Sequence, residues 1–408
     1  MLNFCDTMVK CIFGSALALA AFAPLDAAHA TKKESVLYSF CSQPNCSDGS
    51  NPVAGLIADS SGNLYGTASQ GGSTACGNGC GVVFKITPGG TETVLHAFTG
   101  GDGQYADSSL IMDSSGNLYG TTATGGGQGN CNMGCGVAFK IAPNGTETVL
   151  HAFTGGNDGG YPGGALIADA QGNLYGLATA GGSNCTGFGC GVLFKITPGG
   201  TESVLYSFCA QPACADGANP VGGLTADTHG NFFGVTGGGS TYGDGVVFEY
   251  AANGTETALY AFTDGTDGGI IQSGVIADKA GNLYGTATSD GAYGAGNVYK
   301  VAPSGTETVL YSFCAQPNCA DGANSDASVI FDGKGNLYGT TDSGGASDAG
   351  AVFELAPNGK ETVLHSFSYS NGDGASPEAN LLKIKGELYG TTSSGGANSG
   401  GTVFKLKK

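Results

Sequence analysis

The residues best equipped for chemistry are cysteines and aspartates in one recurring string. It reads "CSQPNCSDG" at 41–49, "CAQPACADG" at 209–217 and "CAQPNCADG" at 314–322. Two thiolates this close could ligate a metal, exchange with another disulfide, or bridge each other. Beyond residue 30 there are six such pairs: Cys41 and Cys46, Cys76 and Cys80, Cys131 and Cys135, Cys185 and Cys190, Cys209 and Cys214, Cys314 and Cys319. Zinc sites favour C-x2-C with a second pair or a histidine close by, and thiol exchange favours C-x-x-C. Here the partners lie four or five residues apart, and no histidine lies in these loops. Disulfide bridges are therefore expected, and no metal-ligand set is assigned.

The cysteines sit inside a tandem repeat, which decides the architecture. One marker, "E-[TS]-x-L-[YH]-[AS]-F", begins at Glu34, Glu92, Glu147, Glu202, Glu256, Glu307 and Glu361. A second, "G-N-[LF]-[YF]-G", begins at Gly62, Gly116, Gly172, Gly230, Gly281 and Gly335, with "GELYG" from Gly386 as its seventh form. A third, "G-x-[VAL]-[FY]-[KE]", precedes each E-marker or ends the chain. Each unit reads as four short strands, A to D; in the third they are "ALIAD", "NLYGLAT", "GVLFKIT" and "ESVLYSF". Turns such as "AQGN" and "PGGT" supply the glycine that tight hairpins need. Seven such units predict an all-β, seven-bladed β-propeller with four-stranded blades.

The phase of the repeat adds a further expectation. The first marker is a D strand and the last a C strand, so the N-terminal strand should pair with the C-terminal one, close the ring and remove an open edge. Residues 31–408 then form one domain. The B–C and D–A loops share one face and carry all the length variation. From the last glycine of the second marker to the glycine opening strand C, blades 1 to 3 advance 15, 16 and 15 positions, the others 11. Each cysteine pair thus marks an insertion, where a small bridge offsets ordering entropy.

An Asp-Gly step recurs in every unit, at Asp48, Asp102, Asp158, Asp216, Asp267, Asp321 and Asp373, always eight residues before the first apolar residue of strand A. That constant spacing predicts aspartates tied to the inner strand, near the rim of a central channel. Either each carboxylate caps turn N–H groups, or the ring gathers a cation such as Ca²⁺. The cap is the simpler role, because each loop offers only one or two oxygens. No other cofactor is expected. Asp59, Asp113, Asp169, Asp227, Asp278 and Asp332 read as Asx-turn formers before strand B. His96, His151 and His365 share a slot with Tyr38, Tyr206, Tyr260 and Tyr311, which reads as packing with a polar tip.

The chain has 408 residues, 76 glycines, no tryptophan and a formal charge of −18. So acidic a surface lacks the clustered basic face that nucleic acid requires. Lys10, the apolar run "CIFGSALALAAFA" and "AHA" at 28–30 read as a cleaved targeting segment over residues 1–30. The run is too short to span a bilayer. A secreted monomer, extracellular or periplasmic, is expected.

Together, "GNLYGTT", "GVVFKITPGGTETVLHAF" and the "DG" before strand A closely resemble the GloVer tandem repeat of exported bacterial proteins, over essentially the whole chain after residue 30. "D-x-x-G-N-L-Y" is also similar to NHL-type propeller repeats. The resemblance implies the fold and export, and carries over no activity. The first functional reading is a non-catalytic binding scaffold for a polysaccharide or a protein. Its site would lie on the B–C/D–A face toward blades 1 to 3, with Tyr105, Tyr161, Phe188 and the seven aspartates as contacts. The alternative is a metal-dependent hydrolase or lactonase-like enzyme with its site in the channel. No nucleophile–histidine–acid set supports it, and only Asp107, Asp326 and Glu378 break the repeat on inner strands.

Overall fold

One aspartate organises each A–B turn. Asp59 Oδ1 accepts from the Ser61 and Asn63 amides at 2.9 Å, and its Oδ2 accepts from Asn63 Nδ2 at 2.7 Å and the Tyr65 hydroxyl at 3.1 Å. The same constellation recurs at Asp113, Asp169 and Asp278. Asp-x-x-Gly-Asn-Leu-Tyr is thus a folding unit, in which a side chain satisfies backbone donors that the turn would leave unpaired. The glycine after the tyrosine has a packing role. A Cβ on Gly66 would stand 2.6 Å from Phe84 Cζ and 2.9 Å from Leu56 Cδ2.

A computed structural model describes residues 34–407 except 128, 130, 186, 188 and 264. The expected targeting segment lies outside the described residues. The repeats form seven four-stranded antiparallel sheets. In blade 3 the strands are A Gly160–Ala168, B Leu174–Ala180, C Val192–Ile196 and D Glu202–Ser207, hydrogen-bonded in that order. In the last sheet Leu382–Ile384, Glu387–Thr392 and Thr402–Lys407 are joined by Glu34–Ser39 as the fourth strand. Glu34 faces Leu406 and Ser39 faces Thr402. The chain is a seven-bladed β-propeller closed by its two terminal strands, as the repeat phase requires.

Strand C is buried on both faces, which its near-continuous apolar sequence anticipates. Val82, Val83, Phe84 and Ile86 are all fully buried. Aromatic contacts stitch the blades edge to face. The phenylalanine ending each strand D meets the strand C ring of the next blade, as in Phe98–Phe139 at 5.1 Å, Phe153–Phe194 at 5.0 Å and Phe208–Phe248 at 5.0 Å. Phe367–Phe404 at 5.1 Å and Phe40–Phe84 at 5.0 Å carry the ladder across the closure. Every outermost strand carries a register shift against strand C. The repeat did not announce it. Such a bulge twists an exposed edge away from pairing with another chain.

Candidate functional site

The six cysteine pairs are disulfides, each closing a loop of the B–C/D–A face. Blade 3 alone has both a bridged B–C loop and a bridged loop after strand D. There the sulfurs of Cys185, Cys190, Cys209 and Cys214 all lie within 4.8 Å of one another.

The Asp-Gly aspartates correct one expectation: they do not belong to the channel rim. Each reaches back to strand D, the outermost strand. Asp321 accepts from the Tyr311 hydroxyl at 2.7 Å and from the amides of Ala315 and Gln316 at 2.9 and 3.1 Å. Tyr38–Asp48, Tyr206–Asp216 and Tyr260–Asp267 repeat the 2.7 Å bond. His96–Asp102, His151–Asp158 and His365–Asp373 fill the same slot, at 3.1, 3.2 and 3.3 Å. The fixed spacing to strand A comes from the glycine that follows. A Cβ on Gly49 would stand 2.7 Å from Val82 Cγ2 and 3.0 Å from Ala68 Cβ. The glycine is seated on the next blade, and the aspartate spans back whatever the loop length. Asp321 is fully buried, so Asp321→Ala should strand three donors and cost about 3 kcal/mol in denaturant unfolding. Tyr311→Phe, losing one bond, should cost about 1 kcal/mol.

Tyr105 and Tyr161 occupy a strained position. Their φ angles are 56° and 54°, and the equivalent Asn51, Asn219, Ile270, Asn324 and Ser376 are also left-handed. Side chains other than glycine and asparagine rarely adopt this region. The conformation points the amide at the preceding blade: Tyr105 donates to the Cys80 carbonyl and Tyr161 to the Cys135 carbonyl. Both side chains are half-buried beside a disulfide loop. Phe188 lies outside the described residues.

The central channel forms a cavity of about 460 Å³, lined from all seven blades. The three symmetry-breaking carboxylates, Asp107, Asp326 and Glu378, all line it, together with Gln272, Ser328 and Asn380. Asp107, Gln272, Asp326 and Glu378 hold one equivalent position, three residues before the first apolar residue of strand A on blades 2, 5, 6 and 7, and Ser328 and Asn380 stand two residues further on. Blades 3 and 4 place Gly163 and Val221, then Ala165 and Gly223, at these positions, with Gly164 or Gly222 between them. A Cβ on Gly164 would stand 1.9 Å from the Gly222 carbonyl oxygen, and one on Gly222 would stand 2.2 Å from the Gly274 nitrogen. The channel therefore has a bare, tightly packed wall and a polar wall. Ser328 donates its amide to Asn380 Oδ1 at 2.7 Å, while its hydroxyl and the Oδ1 atoms of Asp107 and Asp326 are shielded without a partner. Burial raises Asp107 to about 6 and also raises Asp326 and Glu378, with Asp342 nearby adding repulsion to both. Among the described residues no lysine, histidine or arginine lines this cavity.

Sequence reading missed the exposed aromatic side chains. The most exposed large apolar residues are Tyr369 (66%), Met133 (64%), Tyr242 (60%), Tyr293 (58%) and Ile270 (51%). All five sit on B–C or D–A loops, the face on which the polar part of the channel opens. Four of the five stand over blades 4 to 7, away from the bridged blades 1 to 3. Tyr242 and Tyr293, at one loop position where blades 6 and 7 have Ser347 and Asn398, were the available signal.

Fold and channel define the class: a seven-bladed β-propeller with an acidic, one-sided channel mouth. The chain belongs to the family described as the Gloeobacter/Verrucomicrobia repeat, whose profile matches residues 25–236, 78–280 and 222–408. No curated protein matches it. Among solved structures it is similar to virginiamycin B lyase from Staphylococcus aureus, at 12% identity and a TM-score of 0.55, over 92% of this chain and 98% of that one. It is also similar to the extracellular domain of a protein assigned to a hybrid two-component system of B. thetaiotaomicron, at 10% identity and a TM-score of 0.58, over 91% of this chain and 39% of that one. At such identities the likeness concerns the fold alone. Among the described residues no helix is long and apolar enough to cross a membrane.

Proposed function

We propose that this protein is an exported binding propeller that holds a neutral polysaccharide on its B–C/D–A face, with a sugar unit entering the polar side of the channel mouth. The observation that carries this reading is that the exposed tyrosines Tyr242, Tyr293 and Tyr369 all stand on the face where the acidic channel opens. A tyrosine ring offers a flat apolar surface with a polar tip, which suits the C–H face of a sugar. Carboxylates accept, and an amide and hydroxyls both donate and accept, which suits sugar hydroxyls. An anionic glycan would meet a like-charged channel in a chain of formal charge −18. Six disulfides agree with export, since such bridges persist in oxidising compartments.

A neutral-glycan array followed by calorimetry tests the reading. Tyr293→Ala and Asp326→Asn should each weaken a captured glycan about tenfold, the usual cost of losing one anchoring contact. Val149→Ser, an exposed residue on an outer strand, should leave affinity unchanged. Binding that ignores both site variants, or an array silent to every neutral glycan, would refute it.

A further inference from the structure

The seam between blade 6 and the closing strand differs from the other six. At each seam the glutamate opening one strand D lies near the Asp–Tyr or Asp–His pair of the preceding blade, and its Oε1 is shielded without a hydrogen-bond partner. Four seams pair a tyrosine with the aspartate, and three a histidine. At one of these three, a glutamate oxygen, an imidazole nitrogen and an aspartate oxygen all come within 4.8 Å of one another: Glu34, His365 and Asp373. Among the described residues, no other set of carboxylates and histidines converges so closely.

The contact inside this set is a poor hydrogen bond and a good coordination edge. His365 Nε2 lies 3.4 Å from Asp373 Oδ1 and 3.3 Å from Oδ2, against an ordinary N–H···O separation of about 2.9–3.0 Å. Ligands about 2.0–2.2 Å from a tetrahedral zinc ion stand roughly 3.4 Å apart. Asp373 already receives the Ser368 amide at 3.1 Å and its own neighbour Gly374 at 2.9 Å, outer contacts that would hold its orientation.

We propose that Glu34, His365 and Asp373 form a binding site for a single divalent transition metal of the zinc class. Three protein ligands leave a fourth position for water. One imidazole with two carboxylates fits Zn²⁺, Co²⁺ or Ni²⁺; Ca²⁺ would need six to eight oxygens. The ion ties the strand that closes the ring to strand D of blade 6 and to the loop entering blade 7. It acts as a latch on the one outer strand that no hairpin joins to its own blade. This role is independent of the proposed glycan site.

The test uses the full chain with free thiols alkylated and metal removed by chelator, titrated with ZnCl2 by calorimetry and followed by thermal unfolding. Wild type should take one Zn²⁺ and unfold at a higher temperature when loaded, since a ligand bound only to the native state stabilises it. His365→Tyr is the decisive variant. Tyrosine fills this slot in four other seams with a 2.7 Å bond to aspartate, so the seam stays intact while a ligand is lost. It should fold, bind zinc at least tenfold more weakly and lose the thermal shift, as should Glu34→Gln. His96→Tyr and His151→Tyr should keep both. Co²⁺ should give visible d–d bands in wild type and not in His365→Tyr. Absence of zinc binding at 100 µM (about twice a 50 µM Kd), or zinc binding unaltered by His365→Tyr, would overturn the proposal.

Discussion

A chain shortened to begin at Cys41 will lose cooperative unfolding and self-associate. The deletion removes Glu34–Ser39, the outer strand of the last sheet, and Phe40, which is fully buried. Thr402–Lys407 would then present an unpaired, alternating edge, open to a second copy. The blade 7–blade 1 seam would also lose one rung of its aromatic ladder, Phe40 on Phe84. The single change Phe40→Ala keeps the strand but vacates the same pocket, and should cost about 3–5 kcal/mol. Calorimetry and size-exclusion chromatography distinguish the two variants. Phe40→Ala should remain a single-transition species with a lower Tm, whereas the truncation should broaden the transition and shift the elution volume. A truncated chain that elutes unchanged, with a sharp transition at the wild-type Tm, would show that the ring does not depend on this strand.

Stability should peak in mildly acid solution and fall as pH rises toward 8. Burial pushes Glu34, Glu92, Glu147, Glu256 and Glu307 up to about 7, with the aspartate of the preceding blade adding repulsion at each. Glu361 is pushed up to about 8, and Glu202 also rises. Three of the seams also bring His96, His151 or His365, and the other four bring Tyr38, Tyr206, Tyr260 or Tyr311. A carboxyl whose folded pKa exceeds its unfolded value of 4.5 keeps its proton in the native state while the unfolded chain releases it. Below pH 4.5 both states are protonated and nothing is lost. Between 4.5 and about 7 the unfolded state gains progressively, and above about 8 the full penalty applies. The A–B turn aspartates act in the opposite direction. Their hydrogen bonds outweigh burial and lower Asp59, Asp113, Asp169, Asp227, Asp278 and Asp332. Their contribution is present above 3.8 and is lost as pH falls further. Because the glutamates are only half-buried, solvent screening reduces each contribution. Seven in concert should still lower Tm by roughly 5 °C between pH 5 and pH 8. Replacing Glu307 and Glu361 with glutamine, which stays neutral at both pH values, should shrink that drop. A Tm that is flat or rising from pH 5 to 8 would contradict the argument.

Both effects arise at blade seams, and the seams divide what could be read from the chain from what could not. The period, the four strands of each unit and the phase that closes the ring were legible because each follows from local patterns repeated seven times. The disulfides were legible for the same reason, since each joins cysteines four or five residues apart. The Asx turns were legible because Asp59 bonds residues no more than six positions away.

The Asp-Gly aspartates show where local reading fails. Their spacing to strand A is constant, yet their bonds go to strand D, because the glycine and the carboxylate of one dipeptide answer to different blades. The glutamate that opens each strand D was visible only as a repeat marker. Its neighbour is an aspartate 40 to 45 residues earlier, or for Glu34 the distant Asp373, brought close by the packing of adjacent blades. The channel's polarity is also a tertiary outcome. Asp107, Asp326 and Glu378 looked like isolated exceptions along the chain, and become one wall only because their inner strands surround a common axis. By itself the sequence determined the unit, its number and its closure, since local hydrogen bonding and apolar alternation act within one blade. Tertiary structure alone decided which charges share a seam and which side of the channel is polar, because those energies depend on burial and distance between residues that the chain keeps far apart.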